Sequence, residues 1–375
     1  MSTALQQPTR HERPLAEPAA DHLFVNNVRF LSMAGVVSVH CISTMFSLSG
    51  LSSLAGLERW MRQPVSFDVI GFFLISGFLM EEGLRRRTPA EYLKRRLKRI
   101  VAPWMFWYSL YFVIILANDA MHGRIAHLSW REGALFAFHT LLDCLFTSAY
   151  WFVPNLLLAL CVLLACRRFS LDLWIGWVFL ALSLFYGLNI HAHWIPIQDH
   201  TEALLGFVLY LWLGMWAARN FDAIQSWTGR IGTPVLLALA ALAALAALWE
   251  SSVLFAAGDH HSMNTLRLCN QAYSILIVLA IFRLRRPIWP RAANVRATTF
   301  GIYLIHPIVL WIIRGLIKRS TSGAVASLSW GWAAAAVICL SLCFFAVIYG
   351  TSLSLTSWLL DHPRLRWLVG APSSS

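Results

Sequence analysis

Two ionisable residues in the first apolar segment are spaced so that they could act together. Arg29 and His40 both lie in "VRFLSMAGVVSVH", which otherwise has the composition of a lipid-embedded helix. Eleven residues of α-helix bring the two side chains to within about 20° of each other, about 16 Å apart along the axis. One helix face then carries an anion-binding guanidinium near a membrane surface and a candidate base deep in the span. The ordinary alternatives are that Arg29 snorkels to the headgroups and that His40 is a hydrogen-bonded core histidine.

A second pair of cations lies in "EYLKRRLKRIVAPW", where Arg96 and Arg99 have the i, i+3 spacing of one helix face. Two guanidinium groups on one face can bind phosphate oxygens in a bidentate manner. The alternative is that these arginines only anchor a helix end on the cytoplasmic side.

A second histidine falls inside an apolar segment, His306 in "FGIYLIHPIVLW". Pro307 follows it directly and removes one helical hydrogen bond, which can free a backbone carbonyl beside the imidazole. Because ionisable groups in the hydrocarbon region are costly, His40 and His306 are the first candidates for chemistry among the thirteen histidines.

The composition indicates the elements that must position these residues. The chain has 375 residues, of which 58% are hydrophobic and only 13% charged, about half the charged fraction of a soluble domain. Apolar runs of about 20 residues recur along the whole length, so we expect an all-α polytopic membrane protein. The runs predict about ten transmembrane helices, at 27–47, 66–83, 100–118, 151–166, 172–189, 203–218, 233–252, 266–284, 297–316 and 327–350.

The apolar segment 134–147 is shorter, and we interpret it as re-entrant or interfacial. If it crosses the membrane, there are eleven spans.

The charge distribution orients the helices. The net charge is +12, and the densest basic clusters, "LRRRTPAEYLKRRLKRI" and "RLRRPIWPRAANVR", fall on one side of the ten-span arrangement. The positive-inside rule explains this bias and places both termini in the cytoplasm. Because the rule accounts for the positive charge, we predict no nucleic-acid partner. The seven cysteines are scattered without metal-ligand spacing, so no metal site is predicted.

The sequence predicts one membrane domain at 25–358. A polar, disordered cytoplasmic tail at 1–24 precedes it, and a short cytoplasmic tail at 359–375 follows.

Five stretches, taken together, resemble the membrane-bound acyltransferase family 3, which includes bacterial O-acetyltransferases of surface polysaccharides. The resemblance covers about residues 25–350. Many members carry an acidic residue where this chain has Ile70, and Asp68 lies nearby at a different helical angle. The matching features are Arg29-x10-His40, "FFLISGFL" (72–79), "KRRLKRIVAP" with Arg96 and Arg99, "WFVPNLL" (151–157) and "YLIHP" (303–307).

The resemblance implies a multi-pass enzyme of the bacterial inner membrane that moves an acyl group, typically acetyl, from cytoplasmic acyl-CoA to a hydroxyl. The acceptor would be a cell-surface polysaccharide or its lipid-linked sugar precursor, and other polysaccharide-assembly proteins would be partners in the bilayer. Arg29, Arg96 and Arg99 would bind acetyl-CoA, while His40 and His306 would be catalytic.

The residues leave two roles open for His40, general base or transient acyl carrier. His306 could polarise the thioester carbonyl or bind the acceptor. A competing hypothesis is a proton-coupled transporter or flippase of lipid-linked sugars, for which intramembrane Arg and His are also suited. The chain shows no convincing internal repeat of the kind that many transporters have.

Overall fold

The computed structural model describes residues 20–166, 172–197, 199–259, 261–290, 294–321 and 328–372. These residues form α-helices, short 3-10 turns and connecting loops, and contain no β-strand. The helices are α1 Ala20–Ser49, α2 Ala55–Arg62, α3 Asp68–Leu84, α4 Pro89–Met121, α5 Trp130–Phe146, α6 Phe152–Ala165, α7 Leu173–Ala192, α8 Val208–Arg219, α9 Phe221–Ile231, α10 Thr233–Ala256, α11 Leu268–Phe282, α12 Val295–Thr321 and α13 Trp330–Asp361.

Seven helical segments in the described part of the chain are long and apolar enough to cross a membrane. The α5–α6 pair, bent by 75°, forms an eighth if it is one span, and α11 is a shorter apolar helix. The protein is therefore all-helical and multi-pass. The expected total of about ten spans and the cytoplasmic termini stay predictions, because α8 and α11 fall short of the ~20 residues that cross a bilayer alone.

Two helices begin well before the spans predicted for them. α1 begins at Ala20 rather than near residue 27, so the helix includes the end of the predicted tail 1–24, whose first 19 residues lie outside the described ones. α4 begins at Pro89 rather than near residue 100, because Thr88 and Glu91 form a capping box. The extra turns are the ones that carry the basic cluster.

α1 forms an antiparallel hairpin with the helical segment 52–84, which includes α2 and α3. The Ser43 hydroxyl donates a hydrogen bond to Glu58 Oε1 at 3.1 Å. Farther along, a Cβ added at Gly35 would lie 2.9 Å from the Cβ of Asp68, so the two helices touch there. The hairpin therefore places α2 beside the second half of α1.

α3 and α8 cross at unusually short distance. A Cβ added at Gly77 would overlap the carbonyl oxygen of Leu211, and one added at Gly214 would overlap that of Leu74. Small residues at both positions let the backbones approach. This close packing explains Gly77 of the "FFLISGFL" stretch.

A break in the helix separates α5 from α6, and hydrogen bonds from two tyrosine hydroxyls hold this break against α12. The Tyr150 hydroxyl donates to the carbonyl of Leu304 at 2.8 Å, and the Tyr303 hydroxyl donates to that of Ala149 at 2.8 Å. The indole of Trp104 donates to the Tyr150 carbonyl at 3.1 Å. These bonds hold the "WFVPNLL" and "YLIHP" stretches next to each other.

Candidate active site

A cavity of about 1040 Å³ runs through the helices just described. This volume is at the upper limit of the roughly 300–1,000 Å³ typical of ligand pockets, so it can hold a large ligand. One end, the arginine end, is lined by Arg29, Arg86, Arg87, Arg95, Arg96, Arg99 and Arg296. The opposite end, the far end, is lined by Ser43, Arg62, Ser66, Asp68, Asp199, His200, Thr201 and Thr265.

The arginine end brings together the three arginines that the sequence singled out. Arg29, from α1, donates a hydrogen bond to Asn26 Oδ1 at 2.9 Å and is close enough to Arg96 and Arg296 for mutual repulsion. Arg99 is exposed at the opening. Several cations facing one space repel one another unless an anion neutralises them, so this end favours a polyanionic ligand.

His40 lies between the two ends and lines the cavity. The helix face predicted from the sequence is therefore the cavity face of α1, with Arg29 at one end of it. Arg62 and His200 are close enough to act on the imidazole electrostatically.

His306 lies behind His40 and is not among the residues that line the cavity. It is buried, and its ring centroid is 5.6 Å from that of His40. Its Nδ1 is 3.1 Å from the carbonyl oxygen of Ile302. Because a carbonyl only accepts, Nδ1 carries the proton and Nε2 the lone pair in the neutral ring. Nε2 is buried without a hydrogen-bond partner among the described residues, so it can accept an N–H from a neighbouring group.

The far end contains a hydrogen-bonded Asp–His pair that the sequence did not reveal. His200 Nδ1 is 2.9 Å from Asp199 Oδ1, which also accepts the backbone N–H of Thr201 at 3.1 Å. Partial burial opposes ionisation of Asp199, but the hydrogen bond and charge of His200 outweigh it and hold the pKa of this carboxyl well below its usual range. The pair lies in the α7–α8 connection, where sequence periodicity gives no signal.

The "WFVPNLL" stretch holds this connection in place. The ring of Trp151 meets that of His200 edge to face, with centroids 5.1 Å apart. The Asn155 side chain donates to the Thr201 carbonyl at 3.1 Å. These contacts fix the irregular backbone of the α7–α8 connection where it lines the cavity.

The acidic residue Asp68 begins α3 and is buried at the far end, where its Oδ1 accepts the Val69 N–H at 2.7 Å. It does not touch His40 through any hydrogen bond found among the described residues. The departure from the family pattern at residue 70 thus leaves a carboxyl in the cavity wall two residues earlier, about half a helical turn away.

A fully buried arginine, Arg267, supports the same wall. Its guanidinium donates to the side chain of Gln63 at 3.2 Å and to the Ala247 carbonyl. Gln63 in turn donates to Asn270 Oδ1 at 3.0 Å. This network of hydrogen bonds ties the turn after α2 to α10 and α11. It therefore restrains the position of Arg62, which is the last residue of α2.

In the part of the chain that the structure describes, no group of three or more His, Cys, Asp or Glu side chains is arranged to hold a metal ion.

The sequence profile of the acyltransferase 3 family, an acyltransferase domain, matches residues 22–350. No curated protein and no solved structure matches the chain. The profile covers nearly the whole helical domain, including both ends of the cavity, the half-buried His40 and the buried His306. The chain therefore belongs to the membrane-bound acyltransferase family 3.

Proposed function

We propose that this membrane acyltransferase moves an acetyl group from cytoplasmic acetyl-CoA to a hydroxyl of a cell-surface polysaccharide or of its lipid-linked precursor, in the bacterial inner membrane. The observation that carries the proposal is that the predicted arginines and His40 line one cavity. The family assignment favours an enzyme over the transporter hypothesis.

The donor fits the cavity by charge and by length. The nucleotide phosphates of acyl-CoA bind at the arginine end, where charge-assisted hydrogen bonds from Arg29, Arg96 and Arg99 neutralise them. The uncharged pantetheine arm then extends along α1, and about 16 Å of helix separates Arg29 from His40. The thioester at the tip of the arm reaches the imidazole.

His40 supplies the proton transfer. Its free nitrogen removes the proton from the acceptor hydroxyl as the oxygen attacks the thioester carbonyl. When the C–S bond breaks, the imidazolium returns this proton to the leaving thiolate, so the products are the acetyl ester and CoA with a free thiol. Trapping an acetyl-imidazole on His40 by rapid acid quench and mass spectrometry would assign it the nucleophilic role instead.

His306 positions His40. The bond from His306 Nδ1 to the Ile302 carbonyl leaves Nε2 as an acceptor beside the His40 ring. A hydrogen bond from His40 to this nitrogen, formed as the two rings approach from their 5.6 Å centroid separation, would fix which imidazole nitrogen faces the substrates. This role replaces direct contact of His306 with the acceptor.

The proposed function is tested by the acetylation of the surface polysaccharide. Mass spectrometry of surface polysaccharide from a deletion strain should show loss of acetyl esters, which the wild-type gene restores and His40→Ala does not. Equal membrane levels of the two proteins are the control. Unchanged acetylation in the deletion strain would refute the acceptor class.

A further inference from the structure

The far end of the cavity differs chemically from the arginine end. Its wall combines hydroxyls, carboxylates, an imidazole and one guanidinium, so it offers both hydrogen-bond donors and acceptors. A polyanion needs donors only, whereas each sugar hydroxyl donates and accepts. The far end therefore suits a neutral, hydroxyl-rich ligand.

The Asp199–His200 pair is held rigidly before any ligand arrives. Asp199 Oδ1 already binds the imidazole and the Thr201 N–H, and Asn155 fixes the Thr201 carbonyl. The edge-to-face contact with Trp151 restrains the His200 ring, and Trp151 itself lines the cavity. An indole beside a polar pair presents an apolar surface to the C–H groups of a sugar ring.

An unsatisfied donor lies on the opposite side of the far end. Arg62 is held by Glu58 at 3.3 Å through Nη1, and Glu58 also accepts from Ser43. The Nε of Arg62 is buried and has no hydrogen-bond partner among the described residues. A buried N–H without a partner is costly, and an oxygen of a bound ligand would satisfy it.

We propose that the far end is the acceptor site and binds a sugar, with Asp199, His200 and Arg62 holding its hydroxyls beside His40. This proposal rests on the proposed acyl transfer and adds the position and class of the acceptor. Ser43 is about 21 Å of helix from Arg29. Donor and acceptor thus enter from opposite ends of the cavity and meet at His40.

The test distinguishes donor binding from acceptor binding by the KM value of each substrate. The purified full-length protein receives acetyl-CoA and oligosaccharides released from the polysaccharide of the deletion strain, and the KM for each is measured. His200→Ala should raise the KM for the oligosaccharide about tenfold, which is the loss of about 1.4 kcal/mol of binding. The KM for acetyl-CoA should stay within about twofold.

Two further variants make the result specific. His200→Gln keeps a hydrogen-bonding side chain and should give a smaller rise, which also covers the case that the alanine variant is unstable. His127→Ala removes an exposed histidine outside the cavity and should change neither KM.

An unchanged oligosaccharide KM in active His200→Ala and His200→Gln enzymes would overturn the acceptor site alone. A rise in the KM for acetyl-CoA instead would assign the far end to the donor. No transfer by the wild-type enzyme would overturn the proposed function together with this inference.

Discussion

The two ends of the cavity are built by different means. The arginine end is made mainly by regular helices, α1, α4 and α12, whose basic turns project side chains into one space, together with Arg86 and Arg87 from the turn between α3 and α4. The far end is made largely by the turn after α2 and by the connections before α8 and α11, fixed by buried hydrogen bonds. A charged cofactor needs a cationic surface, which helices supply readily. An uncharged acceptor needs donors and acceptors at exact positions, which irregular backbone supplies better.

The largest difference between the two ends is expected when the charge is removed at one end only. The double variant Arg96→Gln, Arg99→Gln should raise the KM for acetyl-CoA about 100-fold, because each charge-assisted hydrogen bond contributes about 1.5–3 kcal/mol. The KM for the oligosaccharide should not change. Arg314→Gln, an exposed arginine outside the cavity lining, is the matched control in steady-state kinetics. Equal changes in both KM values would remove the distinction between the ends.

The second prediction concerns the residue that serves both ends. His306→Ala should lower kcat about tenfold and leave both KM values unchanged, because the imidazole it orients acts on both substrates. His306→Asn should recover part of the loss, since its amide can still accept a hydrogen bond. If either KM rose with kcat intact, His306 would have to touch a substrate.

The smallest effect on the activity of each folded molecule is expected at the α3–α8 crossing. Gly77→Ala should lower the free energy of unfolding by about 1–3 kcal/mol, because its methyl group overlaps the Leu211 carbonyl and the helices must separate. Gly133→Ala, where an added Cβ meets nothing within 4 Å, should stabilise α5 by up to about 1 kcal/mol. Thermal unfolding in one detergent compares the two. A neutral Gly77→Ala would mean that this crossing does not need close approach.

The helical end of the site could be predicted from the sequence, and the irregular end could not. Arg29 and His40 share a face because the period of an α-helix is fixed, so spacing alone placed both on the cavity. The pair Asp199–His200 lies in a connection whose path is set by Asn155 and Trp151, about 45 residues away in the chain. No local pattern encodes such a contact.

Two examples show why only part of the site could be predicted from the sequence. Glu58 and Arg62 have the i, i+4 spacing of a helix, but the stretch is polar and short, so no apolar run indicates it. His306 was recognised as an intramembrane histidine, yet its position behind His40 depends on how α12 packs against α1. Helix periodicity identifies a face but not the neighbour that covers it.

The central claim is that one cavity delivers acetyl-CoA from the arginine end to His40. The most direct test measures CoA binding and acetyl transfer on the same purified His40→Gln protein, by isothermal titration calorimetry and by mass spectrometry of the oligosaccharide product. We predict a Kd for CoA within about twofold of the wild-type value and a transfer rate lower by about 10²–10⁴-fold, the usual contribution of a general base. Transfer at the wild-type rate with normal CoA binding would contradict the account.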